Sequence, residues 1–119
     1  MTMILAIVGG RDFDDYDKMD ACLEDIVDKV EMVVSGGQRK DEKGADTLAI
    51  WWAKQHNKPY KEHLPDWDKY GKRAGPIRNE LIIADSTHVA AFWDGKSKGT
   101  KSSIDLARKY KRRIRIIHY

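Results

Sequence analysis

The sequence predicts an α/β chain built as a doubly wound, parallel five-stranded sheet with helices on both faces. Three observations predict it. Met3 to Val8 (MILAIV) and His88 to Trp93 (HVAAFW) are continuous apolar runs of strand length, without the alternation of a sheet wetted on one side, so they read as strands buried on both faces. Segments between such runs carry apolar residues at helical spacing. The two kinds of segment alternate as β-α-β-α-β-α-β-α-β, which implies right-handed crossovers and a parallel sheet. A chain of 119 residues has room for one such domain, spanning 1–119, and little more.

The first strand, Met3 to Val8, closes on Gly9-Gly10. Met19, Cys22, Leu23, Ile26 and Val30 then mark one face of a first helix, and the acids clustered in its opening turns suit the positive end of the helix dipole. A second strand, Met32 to Ser35, runs into Ser35-Gly36-Gly37, followed by a polar loop (QRKDEK) leading to Gly44-Ala45-Asp46. The second helix buries Ala45, Leu48, Ala49, Trp52 and Ala53 and stops at Asn57-Lys58-Pro59, because proline disfavours helix in the residue before it. Tyr60 to Leu64 reads as an edge-like third strand. Pro65 to Pro76 reads as a long loop holding Trp67, Tyr70, Gly71 and Gly75, and loops of that length are usually functional. A helix with Pro76 as its first residue runs to about Asp85 with Ile77, Leu81 and Ala84 inward. After the fourth strand (His88 to Trp93), the turn Asp94 to Gly99 enters a helix with Ile104, Ala107 and Tyr110 inward, and Ile114 to Ile117 forms the last strand.

Hydrophobic residues make up 41% of the chain and charged residues 34%, which suits a globular protein and argues against disorder. The lone Cys22 has no partner for an internal disulfide, and the cysteine usage fits a reducing cytosol, so a cytoplasmic location is expected. The start MTMILAIVGG lacks the parts of a signal peptide, and no apolar run approaches the roughly 18 residues of a membrane span. The net charge of +3 is uneven. Positions 11 to 30 hold eight acids, while Arg108, Lys109, Lys111, Arg112, Arg113 and Arg115 crowd the end. That basic tail is either a phosphate-contacting patch or a solvated helix end and edge strand.

Three strand-to-helix junctions combine glycine with polar residues: Gly9, Gly10, Arg11 and Asp12; Ser35, Gly36 and Gly37 with Gly44, Ala45 and Asp46; and Asp94 and Gly95 with Lys98, Gly99 and Thr100. In a doubly wound sheet all three share the rim at the carboxyl ends of the strands, where ligands bind. Glycine lets backbone amides approach a ligand, and a helix N-terminus offers unpaired N–H groups, so the rim suits phosphate. Neither G-x-G-x-x-G nor the P-loop pattern occurs, which disfavours a dehydrogenase or a P-loop ATPase. Arg11 and Arg78 supply forked donors, and Lys72, Arg73, Lys96 and Lys98 are expected to add charge. Trp67, Tyr70 and Trp93 are candidates to stack on a base, although Trp93 ends a buried strand and also reads as core. Trp51 and Trp52 read as packing. His56, His63, His88 and His118 have no metal-ligand spacing, so no metal is expected, and Ser35 lacks the G-x-S-x-G setting of a nucleophile.

V-G-G-R-D-F at Val8 to Phe13, V-S-G-G at Val34 to Gly37, G-A-D-x-L-A at Gly44 to Ala49, W-x-x-Y-G-K at Trp67 to Lys72, A-G-P-I-R-N at Ala74 to Asn79 and F-W-D-G-x-S-x-G-T at Phe92 to Thr100 together resemble the small YspA-like branch of the SLOG superfamily, found in bacteria and phages. The resemblance implies a Rossmann-like fold and one nucleotide pocket lined by Gly9 to Asp12, Ser35 to Gly37, Gly44 to Asp46, Arg78-Asn79 and Asp94 to Thr100. LOG-type phosphoribohydrolases carry a glutamate in P-G-G-x-G-T-x-x-E, where this chain reads Gly99-Thr100-Lys101-Ser102-Ser103. The expectation is therefore a binder of a nucleotide or nucleotide-derived ligand, a sensor or sequestering protein with no obligatory cofactor. An N-glycosidase or base-exchange enzyme, with Asp46, Arg78 and Glu80 as candidate catalytic residues, is the alternative. A nucleic-acid-binding accessory role is the third reading, and homo-oligomer formation is expected from the exposed edges of so small a domain.

Overall fold

The computed structural model describes residues 2–37 and 43–119; residues 38–42, most of the expected polar loop, lie outside the described residues. The elements are β1 (Met3–Gly9), α1 (Tyr16–Leu23), a 3-10 helix (Glu24–Lys29), β2 (Val30–Ser35), α2 (Ala45–Gln55), β3 (Tyr60–Glu62), α3 (Trp67–Tyr70), a 3-10 turn (Gly71–Arg73), α4 (Ala74–Asp85), β4 (His88–Trp93), α5 (Lys98–Lys109) and β5 (Arg113–His118). The five strands form one parallel sheet in the order β3-β2-β1-β4-β5. The chain winds outward from β1 through β2 to β3, then crosses back to β4 and β5. This is a Rossmann-like doubly wound fold, and its order reverses between β1 and β4, the place where such sheets open a crevice.

Alternation along β1 divides the interior in two. Leu5 and Ile7 join Val33, Ala90 and Phe92 beneath Met19, Leu23, Leu48 and Trp52, whereas Ala6 and Val8 join Val34, Val89 and Ala91 beneath Ile82, Ile83, Ile104 and Ala107. Successive strand residues point to opposite faces, so a strand covered by helices on both sides must be apolar throughout. On the first face, the Trp52 indole donates to Asp20 Oδ1 at 3.0 Å and His56 Nε2 meets the same oxygen at 2.7 Å, stitching α2 to α1. No helix among the described residues is long and apolar enough to cross a membrane.

Several expected boundaries shift for local reasons. The first helix ends at Leu23 and tightens into 3-10 geometry, and Val30 opens β2 instead of closing the helix. The expected loop at 65–76 winds into α3 and a 3-10 turn: Asp66 caps α3 by accepting from the Lys69 amide at 3.1 Å, and a four-residue helix is too short to show a period. Helix α4 begins at Ala74, so Pro76 is its third residue, a position still within the turn whose N–H groups have no intrahelical acceptor. Its inward residues are Ile82 and Ile83, while Leu81 is 48% exposed and Ala84 is exposed. Sequence spacing allows either stripe, and packing on the second face selects the isoleucines. Strand β3 is shorter than expected, although the His63 amide still donates to Ser35 O at 2.8 Å.

The thin, exposed edge at β3 is held by Asp85 at the end of α4, whose Oδ2 meets Lys61 Nζ at 3.0 Å and His63 Nε2 at 2.5 Å. The Lys61 hydrogen bond, followed by that of His63, holds the Asp85 carboxyl below its ordinary value. A carboxyl depressed in the folded state contributes stability that is fully present above its unfolded pKa and is lost as pH falls through the folded one. Asp85→Asn should therefore lower the melting temperature at neutral pH, and the gap from the parent protein should close as pH falls below about 4. Thermal unfolding followed by circular dichroism across pH 2 to 7 checks this, and a gap that persists at the acid end refutes it.

Candidate functional site

At the switch point the carboxyl ends of β1 and β4 open a hollow of about 440 Å3, within the range of small-molecule sites. Its walls are the β1–α1 junction (Val8 to Asp12), Asp46 from the first turn of α2, Arg78, Asn79 and Ile82 from α4, and Ser97, Gly99, Thr100 and Ser103 from the start of α5.

The wall at β1 exists because two glycines permit close approach. A Cβ on Gly9 would lie 2.6 Å from Phe92 O and 2.7 Å from Ala45 Cβ. The Gly10 amide donates to Phe92 O at 3.2 Å, and its carbonyl accepts from Ala45 N at 3.1 Å and Phe13 N at 3.3 Å. Strand end, neighbouring strand and the first residue of α2 are thus bonded into one unit. Ser35 is fully buried and braces this unit from behind: its hydroxyl donates to Asp46 O at 2.8 Å and accepts from Gly37 N at 3.2 Å. Gly36 sits between the carboxylate of Asp46 and the guanidinium of Arg78, which its Cβ would meet at 2.5 and 2.7 Å. Arg78 Nη1 donates to Gly36 O at 3.3 Å and Nε to Asn79 Oδ1 at 2.8 Å, so Asn79 orients the guanidinium.

The opposite wall is the start of α5. Asp94 Oδ1 accepts from the amides of Lys96 and Ser97, both at 2.8 Å, and these bonds, Ser97 first, hold its carboxyl below the ordinary value. Ser97 caps the helix, accepting from Thr100 N at 3.4 Å, and its carbonyl accepts from the Trp93 indole at 3.1 Å. Gly95, at φ +85, makes the turn possible. A Cβ on Gly99 would meet nothing within 4 Å, so the first turn of this helix, whose N–H groups lack intrahelical acceptors, is open toward the hollow.

Of the residues expected from sequence, Gly9, Gly10, Arg11, Asp12, Asp46, Arg78, Asn79, Gly99 and Thr100 come together on the hollow. Ser35, Gly36, Gly37, Gly44, Ala45, Asp94 and Gly95 support it from behind or beside. Lys98 faces a separate shallow hollow with Lys101 and Asp105. Trp67 and Tyr70 lie on α3 and do not line the hollow; Trp67 is 52% exposed and its ring edge is 3.7 Å from the Cβ position of Gly75. Glu80 is exposed and accepts a hydrogen bond from Tyr110, also away from the hollow. Trp52 is core as expected, whereas Trp51 is partly exposed.

Ser97, expected within the segment Asp94 to Thr100, is on the hollow as well, whereas sequence reasoning passed over Ser103 and Tyr119. The Tyr119 hydroxyl donates to Asp12 Oδ1 at 2.5 Å, and its ring meets Phe13 edge-on at 4.9 Å. Burial, then the hydrogen bond and charge of Asp12, push the Tyr119 phenol well above its ordinary value. A signal for it was present. Ile117 packs on the first face, and strand alternation carried two residues further brings Tyr119 to the same side.

Residues 3–70 match the model of the YspA, cpYpsA-related SLOG family. Gene 61 protein of Mycobacterium phage D29 is 37% identical over 84 residues, covering 66% of this chain and 64% of that protein. DNA processing protein A (DprA) from Streptococcus pneumoniae superposes with a TM-score of 0.75 at 18% identity, over 97% of this chain and 50% of that one. DprA from Helicobacter pylori, whose structure was described for its single-stranded DNA binding mode, superposes with a TM-score of 0.63 at 24% identity, over 96% of this chain and 64% of that one. This chain therefore spans only half to somewhat under two thirds of these proteins, and at such identities the structural likeness shows the fold.

The two adjacent glycines should respond differently to substitution. Gly9→Ala presses on the backbone of β4 and on buried Ala45, and should cost about 1–3 kcal/mol in denaturant unfolding. Gly10→Ala presses on the ends of Tyr119 and Asp12, at 2.0 and 2.7 Å, which can swing away. It should cost less and release Tyr119, so that ultraviolet titration shows one further phenol near the ordinary pKa of about 10. Equal losses for the two variants would contradict the geometry.

Proposed function

This chain belongs to the YspA, cpYpsA-related SLOG family, and from that premise we propose that it binds a phosphorylated, nucleotide-derived ligand in the hollow between β1 and β4. The observation that carries the reading is the meeting, on one hollow of nucleotide size, of the Arg78 guanidinium with the open first turn of α5. Arginine offers a planar fork of donors to phosphate oxygens. The helix start adds amide N–H groups and a partial positive charge, and Ser97, Thr100 and Ser103 add hydroxyls. A protein with this site acts as a sensor or a sequestering protein for the ligand. Asp12 and Asp46 are the carboxylates lining the hollow, so Asp46 is the group to test for turnover: release of free base that stops in Asp46→Asn while binding persists would make the protein an N-glycosidase.

A second reading, single-stranded DNA binding, is favoured by the described property of the Helicobacter pylori protein together with the basic stretch Arg108 to Arg115. Affinity for an oligonucleotide should then fall steeply with salt, a dependence that a mononucleotide in the hollow does not share to the same degree.

Calorimetric titration with mononucleotides, dinucleotides, cyclic nucleotides and ADP-ribose should find a ligand bound more tightly than about 1 mM, roughly 4 kcal/mol. Arg78→Ala should weaken that binding at least about tenfold, the worth of a charge-assisted hydrogen bond. If none of these compounds binds below about 1 mM, the reading is wrong.

A further inference from the structure

Phosphate binding does not explain every group on the hollow. Arg78, the α5 start and its hydroxyls are donors, and Asp46 lies beside Arg78, the two flanking Gly36. Asp12, on the β1–α1 junction, is a carboxylate on the same hollow. A phosphate is repelled by a carboxylate, and an ionised carboxylate only accepts, so what meets Asp12 must be a donor. Asp12 is also held in place. Tyr119 donates to its Oδ1 at 2.5 Å, the Tyr119 ring leans on buried Phe13, and the Tyr119 amide donates to Trp93 O at 3.3 Å. One oxygen is therefore fixed by the protein, while the other keeps its acceptor capacity. A side chain that served only solubility would not be tethered by a phenol 107 residues further along the chain.

We propose that Asp12, positioned by Tyr119, reads the ribose hydroxyls of the ligand, so that the site selects ribonucleotides over 2′-deoxyribonucleotides. This rests on the nucleotide-binding reading above and narrows its ligand class. Ribose hydroxyls are neutral donors, and their bonds to an ionised acceptor are of the strong, charge-assisted kind. The neighbouring strands β1 and β4 lie about 5 Å apart, so a sugar can face the β1 end while its 5′-phosphate faces the start of α5. Asp12 binds ligand directly in this scheme, whereas Tyr119 is a positioning residue.

The test uses the full chain and titrates the four ribonucleoside 5′-monophosphates and their 2′-deoxy counterparts by calorimetry. The best ribonucleotide should bind at least about tenfold more tightly than its deoxy form, since a site built to bond a hydroxyl rejects the analogue lacking it. Asp12→Asn should bring that ratio to about one, and Tyr119→Phe should lower it severalfold with the circular dichroism spectrum unchanged. A merely structural tyrosine would alter both affinities together and leave the ratio intact. Equal affinity for ribose and deoxyribose forms in the parent protein, or a ratio that survives Asp12→Asn, overturns the inference and leaves nucleotide binding standing. Absence of binding by every monophosphate in both sugar series overturns the inference, and the wider ligand series given above then decides whether nucleotide binding falls with it.

Discussion

The close approach at Gly9 and Gly10 is the constraint on which the rest of this structure depends. β1 is the central strand, and its carboxyl end must pass between Phe92 on β4 and Ala45 at the start of α2 with no space for a Cβ at position 9. The Gly10 carbonyl takes the first amide of α2 and the Gly10 amide takes Phe92 O. Polar backbone groups that would otherwise end unpaired at a buried strand terminus are thereby satisfied within the protein. The start of α2 is set by this junction, and with it the position of Asp46 on the wall of the hollow.

Around that junction the hollow gathers acceptors and donors: β1 and α2 present Asp12 and Asp46, and α4 and α5 present Arg78, Asn79, Ser97 and Thr100, with Asp46 and Arg78 meeting around Gly36. Several of them are held by further hydrogen bonds, most from groups that do not face the hollow. Ser35 holds the α2 backbone, Gly36 O and Asn79 hold Arg78, Asp94 and the Trp93 indole hold the start of α5, and Tyr119 holds Asp12. Such supports matter because binding is weakened by every rotamer that must be frozen when the ligand arrives. The DprA-like fold agrees with the doubly wound architecture that opens a hollow at this rim.

The rim was legible because glycine and short polar residues at strand ends have few structural uses other than tight turns and close backbone approach. Nine of the expected residues meet on one hollow, and seven of them belong to those strand-to-helix junctions, Arg78 and Asn79 being on α4. Trp67 and Tyr70 were named as aromatics in an expected loop, which instead winds into α3, and Glu80 was named from its residue type, whereas neighbours on a helix such as Arg78 and Glu80 point in different directions. Glu80 therefore faces Tyr110 rather than the hollow that Arg78 lines. The misjudged face of α4 has a related cause: Leu81 and Ala84 fit a helical stripe as well as Ile82 and Ile83 do, and only contact with the sheet separates them.

By itself the sequence determined the strand and helix order, the doubly wound parallel architecture, the buried central strands and the location of the polar rim. All of these follow from local periodicity, glycine placement and the handedness of crossovers, which are properties of short stretches of chain. Tertiary structure alone decided which helix face packs inward, that Ser35 is buried and braces α2, that Arg78 reaches the Gly36 carbonyl, and that the residue at position 119 secures the carboxylate at position 12. Those are pairings between groups distant in sequence, with no periodic trace, and they exist only once the sheet has brought β1, β4 and β5 side by side.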